Sequence, residues 1–177
     1  MDKILEIRKG KLMKKALIVA SGGLDSTTAL YWAKSKYDYV EAVTFKYGAN
    51  HNEQEHKALE KTCKMLGIKL CTVDLPLKDY LKSSLLEGED KIPLGRYDEE
   101  SMKSTVVPFR NGIMLAIAAG IAESKGLDDI VLGNHAGDHT IYPDCRPEFI
   151  NNMSKAIEAG TWANVHLVSP FCNMTKS

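Results

Sequence analysis

Neither sign of charge is in excess in this chain. Its 23 Lys and Arg balance 23 Asp and Glu, for a formal net charge of zero. That balance argues against a broad nucleic-acid-binding face, though not against a local basic patch. Long apolar runs are also lacking. The longest, Ile113 to Ala122, is far short of a membrane span. The opening MDKILEIRKGKLMKK alternates charge with apolar residues and has no signal-peptide core. Met13 is an alternative start, so residues 1–12 read as an appendage to one domain over 13–177. Cysteine is sparse. Cys63, Cys71, Cys145 and Cys172 include no Cys-x-x-Cys pair and no metal spacing. They read as reduced thiols of a cytoplasmic protein. Internal repeats, low-complexity tracts and Pro- or Ser-rich linkers are missing as well.

The 177 residues suffice for one domain with a sizeable core. Strand and helix patterns alternate along them. Strands are expected at about 15–20, 40–45, 68–73, 129–133 and 165–168. Helices are expected at about 26–36, 53–66, 111–125 and 147–159, with Gly67 and Gly126 closing two of them. The polar stretch from Leu86 to Ser104 reads as a functional loop. This order predicts α/β architecture: a parallel five-stranded sheet with helices on both faces. Ligands bind such sheets beyond the carboxyl ends of the strands. The unusual segments of this chain all fall there.

The first is Ser21-Gly22-Gly23-Leu24-Asp25-Ser26, between the apolar run Ala16–Ala20 and a helix start. Two glycines let backbone approach an anion, and the helix start presents N–H groups and its positive dipole end. Ser21, Ser26 and Thr27 add hydroxyl donors. A carboxylate beside phosphates repels them, so Asp25 reads either as a Mg²⁺ ligand or as a helix cap. The Gly-Lys-Ser/Thr ending of a Walker loop is absent. The hexapeptide instead resembles the SGGxDS signature of PP-loop ATP pyrophosphatases. That resemblance implies cleavage of ATP between its α- and β-phosphates and transfer of AMP to a substrate oxygen.

The second is Val107-Pro108-Phe109-Arg110-Asn111-Gly112. Pro108 keeps Val107 extended, so a helix begins near Arg110. Arginine at a helix start opposes the dipole and is explained if its fork grips phosphate. The alternative is a surface pair with Asp98, Glu99 or Glu100. The helix that follows is apolar nearly all round and reads as buried, under a second layer or a partner subunit.

The third runs from Gly133 to Arg146 and packs two His, two Asp, Tyr, Cys and Arg into one loop. His135 and His139 are four apart, but Gly137 argues against a helix that would align them on a metal. Tyr142 and Arg146 read as contacts for an aromatic, anionic substrate. Asp144 reads as a substrate contact or as the N-cap of the 147–159 helix. Cys145 reads as a substrate contact or structural thiol rather than a nucleophile, because no base is evident. His51 and His56 read either as nucleotide contacts or as surface residues.

SGGLDSTTAL, VTFKYG, VPFRN and the 142–149 run together resemble the 7-cyano-7-deazaguanine synthase family, from about Lys14 to Lys176. The resemblance implies an adenine nucleotide alpha hydrolase-like fold. It implies conversion of 7-carboxy-7-deazaguanine, ammonia and ATP with Mg²⁺ into the nitrile of queuosine and archaeosine biosynthesis. The implied ATP site comprises Ala20, Ser21, Gly22, Gly23, Leu24, Asp25, Ser26, Thr27, Phe45, Tyr47, Arg110, Asn111 and Gly133, with Asp25, Ser26 and Arg110 catalytic. Asp138, Tyr142, Asp144, Cys145 and Arg146 form the implied substrate site. The partners expected are these small molecules and a second copy of the chain in a homodimer, with no direct nucleic acid and no membrane. Family members carry four C-terminal cysteines that bind structural zinc. Those ligands are not found by position in this chain, so the zinc subdomain is expected to be absent. The run Asn134-His135-Ala136-Gly137 departs from the Val-Cys-Glu-Thr common in bacterial members. Two other readings stay open: a PP-loop relative that adenylates another carboxylate or a tRNA base, and a non-catalytic nucleotide-binding relic.

Overall fold

Strand β3 (Lys15–Val19) carries only apolar residues after its lysine, and its middle three are buried. A strand covered on both faces reads in this way. It is central to a five-stranded, wholly parallel sheet in the computed structural model, which describes residues 7–8, 11–48, 52–83, 86, 106–139 and 141–175. Next to it lie β4 (Tyr39–Lys46) and β6 (Asp129–Leu132); β5 (Lys69–Asp74) and β7 (His166–Val168) form the edges. A two-residue antiparallel pair, β1 (Ile7–Arg8) with β2 (Lys11–Leu12), precedes the sheet inside the expected appendage.

Alternation along the strands sorts the core into two halves. Ala16, Ile18 and Ala20 pack with Ala29, Leu30 and Ala33 of α1 (Leu24–Lys36) and with Leu59 and Cys63 of α2 (Asn52–Leu66). Leu17 and Val43 face the other way. They pack with Leu115, Ala118 and Ala122 of α3 (Arg110–Lys125) and Ile150 and Ile157 of α4 (Pro147–Gly160). Helices therefore cover both faces, and α3 is buried through Met114, Leu115, Ala118, Ala119 and Ala122. Gly67 and Gly126 adopt the left-handed φ (63° and 64°) that ends α2 and α3.

The chain runs β3-β4-β5 outward on one side and β6-β7 on the other, so the order reverses beside β3. That reversal opens a crevice at the carboxyl ends of β3, β4 and β6. The opposite end of the sheet is closed by polar pairs. Buried Glu41 meets the Lys125 ammonium and accepts from the Tyr39 hydroxyl at 2.7 Å. Tyr37 donates to Asp129 at 2.7 Å. The expected 86–104 loop, apart from buried Leu86, and His51 lie outside the described residues, as do Asp98, Glu99 and Glu100.

Candidate active site

Ala20 continues the ladder by donating its N–H to Val43 at 2.9 Å. The chain then turns at Gly22, whose φ of 102° excludes most side chains. A Cβ there would lie 2.0 Å from the Glu55 carbonyl oxygen, so the turn rests directly on the backbone of α2. The Ser26 hydroxyl accepts from the Gly22 N–H and donates to the Gly23 carbonyl, both at 3.0 Å. The Ser21 hydroxyl accepts from the Gly23 N–H at 3.2 Å. The N–H groups that could greet an anion are thus held by short, exchangeable serine contacts. Gly23 is the N-cap of α1. Asp25 lies in the first turn, with its Oδ2 3.7 Å from the His135 Nε2.

Arg110 starts α3 after Phe109, a non-glycine residue at φ 54°. The Arg110 Nη1 donates to the Tyr47 hydroxyl at 3.0 Å, and its guanidinium lies 5.5 Å from the Tyr47 ring centre. Burial works against its charge, but Tyr47, Asp144 and Tyr142 outweigh this and its pKa is raised. The next residue, Asn111, donates its backbone N–H to the Asp144 Oδ2 at 2.7 Å and its side-chain N–H to the Cys145 Sγ at 3.1 Å.

The loop from Gly133 to Arg146 contains two short 3-10 turns, Ala136–Asp138 and Pro143–Cys145. The second turns Asp144 inward, where it is buried and caps α3. The expected cap on the 147–159 helix is therefore corrected: Arg146 holds that position and no side chain caps α4. The Arg146 Nε donates to the His139 carbonyl at 3.0 Å on the outside of the loop. Burial, with Asp144 and Asp138 adding to it, pushes the Cys145 thiol up to about 12. That is the reverse of an activated nucleophile. His135 and His139 part company: His135 faces Asp25 and Asp138, while His139 lies 3.6 Å from the Cys172 Sγ.

These elements enclose one cavity of about 400 Å³. Of the residues expected at the site, Ala20, Ser21, Asp25, Ser26, Phe45, Tyr47, Arg110, Asn111, Gly133, Asp138, Tyr142 and Cys145 line it. Gly22, Gly23, Leu24, Thr27, Asp144 and Arg146 do not, and Leu24 is 73% exposed. Val19, Thr44, Glu55, Met114 and Leu132 also line it without having been expected there, as does Asn134, named above only for its departure from the bacterial run. Asn134 follows directly on a strand end, a signal available in the sequence. Glu55 carries no such signal. The lining holds three carboxylates, Asp25, Glu55 and Asp138, against one guanidinium, Arg110. A polyphosphate entering it needs further positive charge. Hard carboxylate oxygens beside phosphates fit Mg²⁺. Among the described residues no three His, Cys, Asp or Glu converge on a metal position.

Residues 15–177 match the family described as queuosine biosynthesis protein QueC. The chain belongs to the QueC family. A 7-cyano-7-deazaguanine synthase from Porphyromonas gingivalis is 47% identical over 165 residues, covering 93% of this chain and 74% of its own length. A 7-cyano-7-deazaguanine synthase from Desulfotalea psychrophila is also 47% identical, covering 93% and 75%. One from Methanoregula boonei is 42% identical, covering 92% and 75%. Among solved structures, the U34-tRNA thiolase NcsA of Methanococcus maripaludis superposes with a TM-score of 0.55 at 17% identity, covering 94% of this chain and 55% of its own. A predicted subunit of tRNA methyltransferase from Methanocaldococcus jannaschii gives 0.51 at 16%, covering 92% and 70%. These two likenesses speak to the fold alone. They agree with the five-stranded parallel sheet described above. No described helix is long and apolar enough to cross a membrane.

Proposed function

We propose that this cavity converts 7-carboxy-7-deazaguanine, with ATP and ammonia, into 7-cyano-7-deazaguanine. The observation that carries the reading is that one cavity joins Ser21, Asp25, Ser26 and Arg110 to the wall formed by Asp138, Tyr142 and Cys145. A carboxylate is a poor acyl donor, because its leaving group would be oxide. Attack of its oxygen on the α-phosphate forms an acyl-adenylate and releases pyrophosphate. Ammonia then displaces AMP and, after losing a proton, leaves the amide. A second ATP adenylates the amide oxygen and releases a second pyrophosphate. Loss of AMP and of the nitrogen-bound protons yields the nitrile.

In this reading the N–H groups of Gly22 and Gly23 exchange their serine contacts for phosphate oxygens, and Ser21 and Ser26 add hydroxyl donors. Arg110 meets the charge that develops as pyrophosphate leaves. Phe45, Tyr47 and Gly133 complete the nucleotide side. Asp25 and Glu55 would hold Mg²⁺, which supplies the charge neutralisation that the acidic lining lacks. Asp138 accepts from ring N–H groups of the deazaguanine, and Tyr142 stacks on it. Asp144 and Arg146, off the lining, brace that wall. Cys145 acts as a neutral contact. We place the reaction in the cytoplasm, where the four free thiols stay reduced, and its product in a tRNA-modification pathway.

The test is incubation with ATP, Mg²⁺, ammonium and 7-carboxy-7-deazaguanine, followed by mass spectrometry for amide and nitrile. Pyrophosphate release that depends on the deazaguanine acid, with both products formed, is expected. Release with other carboxylic acids and none with this one would overturn the substrate assignment.

A further inference from the structure

The side chain of His135 is 14% exposed and faces one carboxylate from each half of the cavity lining. Its Nδ1 accepts the Gly137 N–H at 2.9 Å, so a neutral ring carries its proton on Nε2. That Nε2 lies 3.7 Å from the Asp25 Oδ2 and 3.6 Å from the Asp138 Oδ1. Neither contact is short enough for a hydrogen bond. The single donor stands between two acceptors that line the cavity from different elements. The arrangement is built rather than incidental. The other oxygen of Asp138 accepts the His135 backbone N–H at 3.0 Å. A Cβ on Gly137 would come within 2.7 Å of the His135 ring, so glycine is required for the ring to lie where it does.

We propose that His135 is a positioning residue that sets Asp25, on the phosphate side, and Asp138, on the acceptor side, against one shared donor. The inference rests on the reading of the glycine turn as an ATP site. Without that donor Asp25 and Asp138 lose the ring N–H they share, and the phosphate and acceptor sides are no longer set against each other at this point. The competing role is purely local: His135 also caps the 136–138 turn through Nδ1.

Two substitutions separate these roles. His135→Asn keeps an acceptor near the Nδ1 position and has nothing at Nε2. His135→Gln carries an N–H donor near the Nε2 position and lacks the acceptor. Calorimetric Kd for Mg²⁺–ATP and the KM for each substrate are the readouts. His135→Asn is expected to weaken Mg²⁺–ATP by about tenfold or more, as loss of a supporting contact does elsewhere, and to raise both KM values with the melting temperature unchanged. His135→Gln is expected to stay within about threefold of wild type, well short of that loss. The reverse order, equal losses in both variants, or no loss in either would overturn the inference. A wild-type protein that binds Mg²⁺–ATP but forms neither amide nor nitrile overturns the proposed function alone. The calorimetric comparison still decides the role of His135.

Discussion

The Asp144 carboxylate accepts the Asn111 backbone N–H at 2.7 Å, so a residue of the last site loop holds the first turn of α3. It does so next to Arg110, whose charge it also favours. Loss of a capping side chain costs about 1 kcal/mol, whereas Asn caps nearly as well as Asp. Asp144→Ala should therefore lower the urea-denaturation stability by about that amount, and Asp144→Asn by less than half of it. Equal losses would show that the charge matters and the cap does not.

Arg110→Lys should not behave as a conservative change. Lysine keeps the charge but loses the planar fork and the stacking on Tyr47. The Kd for Mg²⁺–ATP should rise about tenfold, one lost charge-assisted contact, with circular dichroism unchanged. Unaltered affinity and turnover would return Arg110 to a structural role.

The raised Cys145 pKa makes a chemical prediction. With a pKa of about 12, only about one thiol in ten thousand is ionised at pH 8. Iodoacetamide at that pH should label half-buried Cys71 first and leave Cys145 unmodified in the folded protein. Early labelling of Cys145, read by peptide mass spectrometry, would contradict its burial.

Glu41 makes a prediction about acid. Burial pulls its carboxyl up, but the bonds from Lys125 and Tyr39 outweigh this and leave it below its ordinary 4.5. Its contribution to stability is thus complete above that value and is lost as pH falls through the lower, folded pKa. Lys125→Met should cost about 2 kcal/mol at pH 7, the range for a hydrogen bond to a charged group, and should flatten the loss of stability below pH 4.5. An unchanged acid limb would mean that other carboxylates govern it.

Much of this was legible because it is local. The glycine turn after an apolar run, the helix start at Arg110 after Pro108 and the strand–helix alternation each occupy a few consecutive residues. Five parallel strands follow from them, and so does the gathering of unusual segments at one edge. Two things were not legible, for one reason. Glu55 reaches the cavity because α2 packs on Gly22, and Asp144 caps α3 because a 3-10 turn swings it across to Asn111. Each is a contact between distant parts of the chain, and no local pattern encodes the partner. From the sequence alone Asp144 therefore reads as a substrate contact or as a cap for the helix nearest to it in the chain.

The contact between Gly22 and the Glu55 carbonyl makes the hexapeptide Ser21–Ser26 a poor transplant. Its curvature is moulded by a helix that begins well downstream. Spliced between a strand and a helix of another scaffold, the same six residues would lack the surface they are pressed against. A designer who wished to move this nucleotide cradle would have to carry α2 and its docking on the sheet as well.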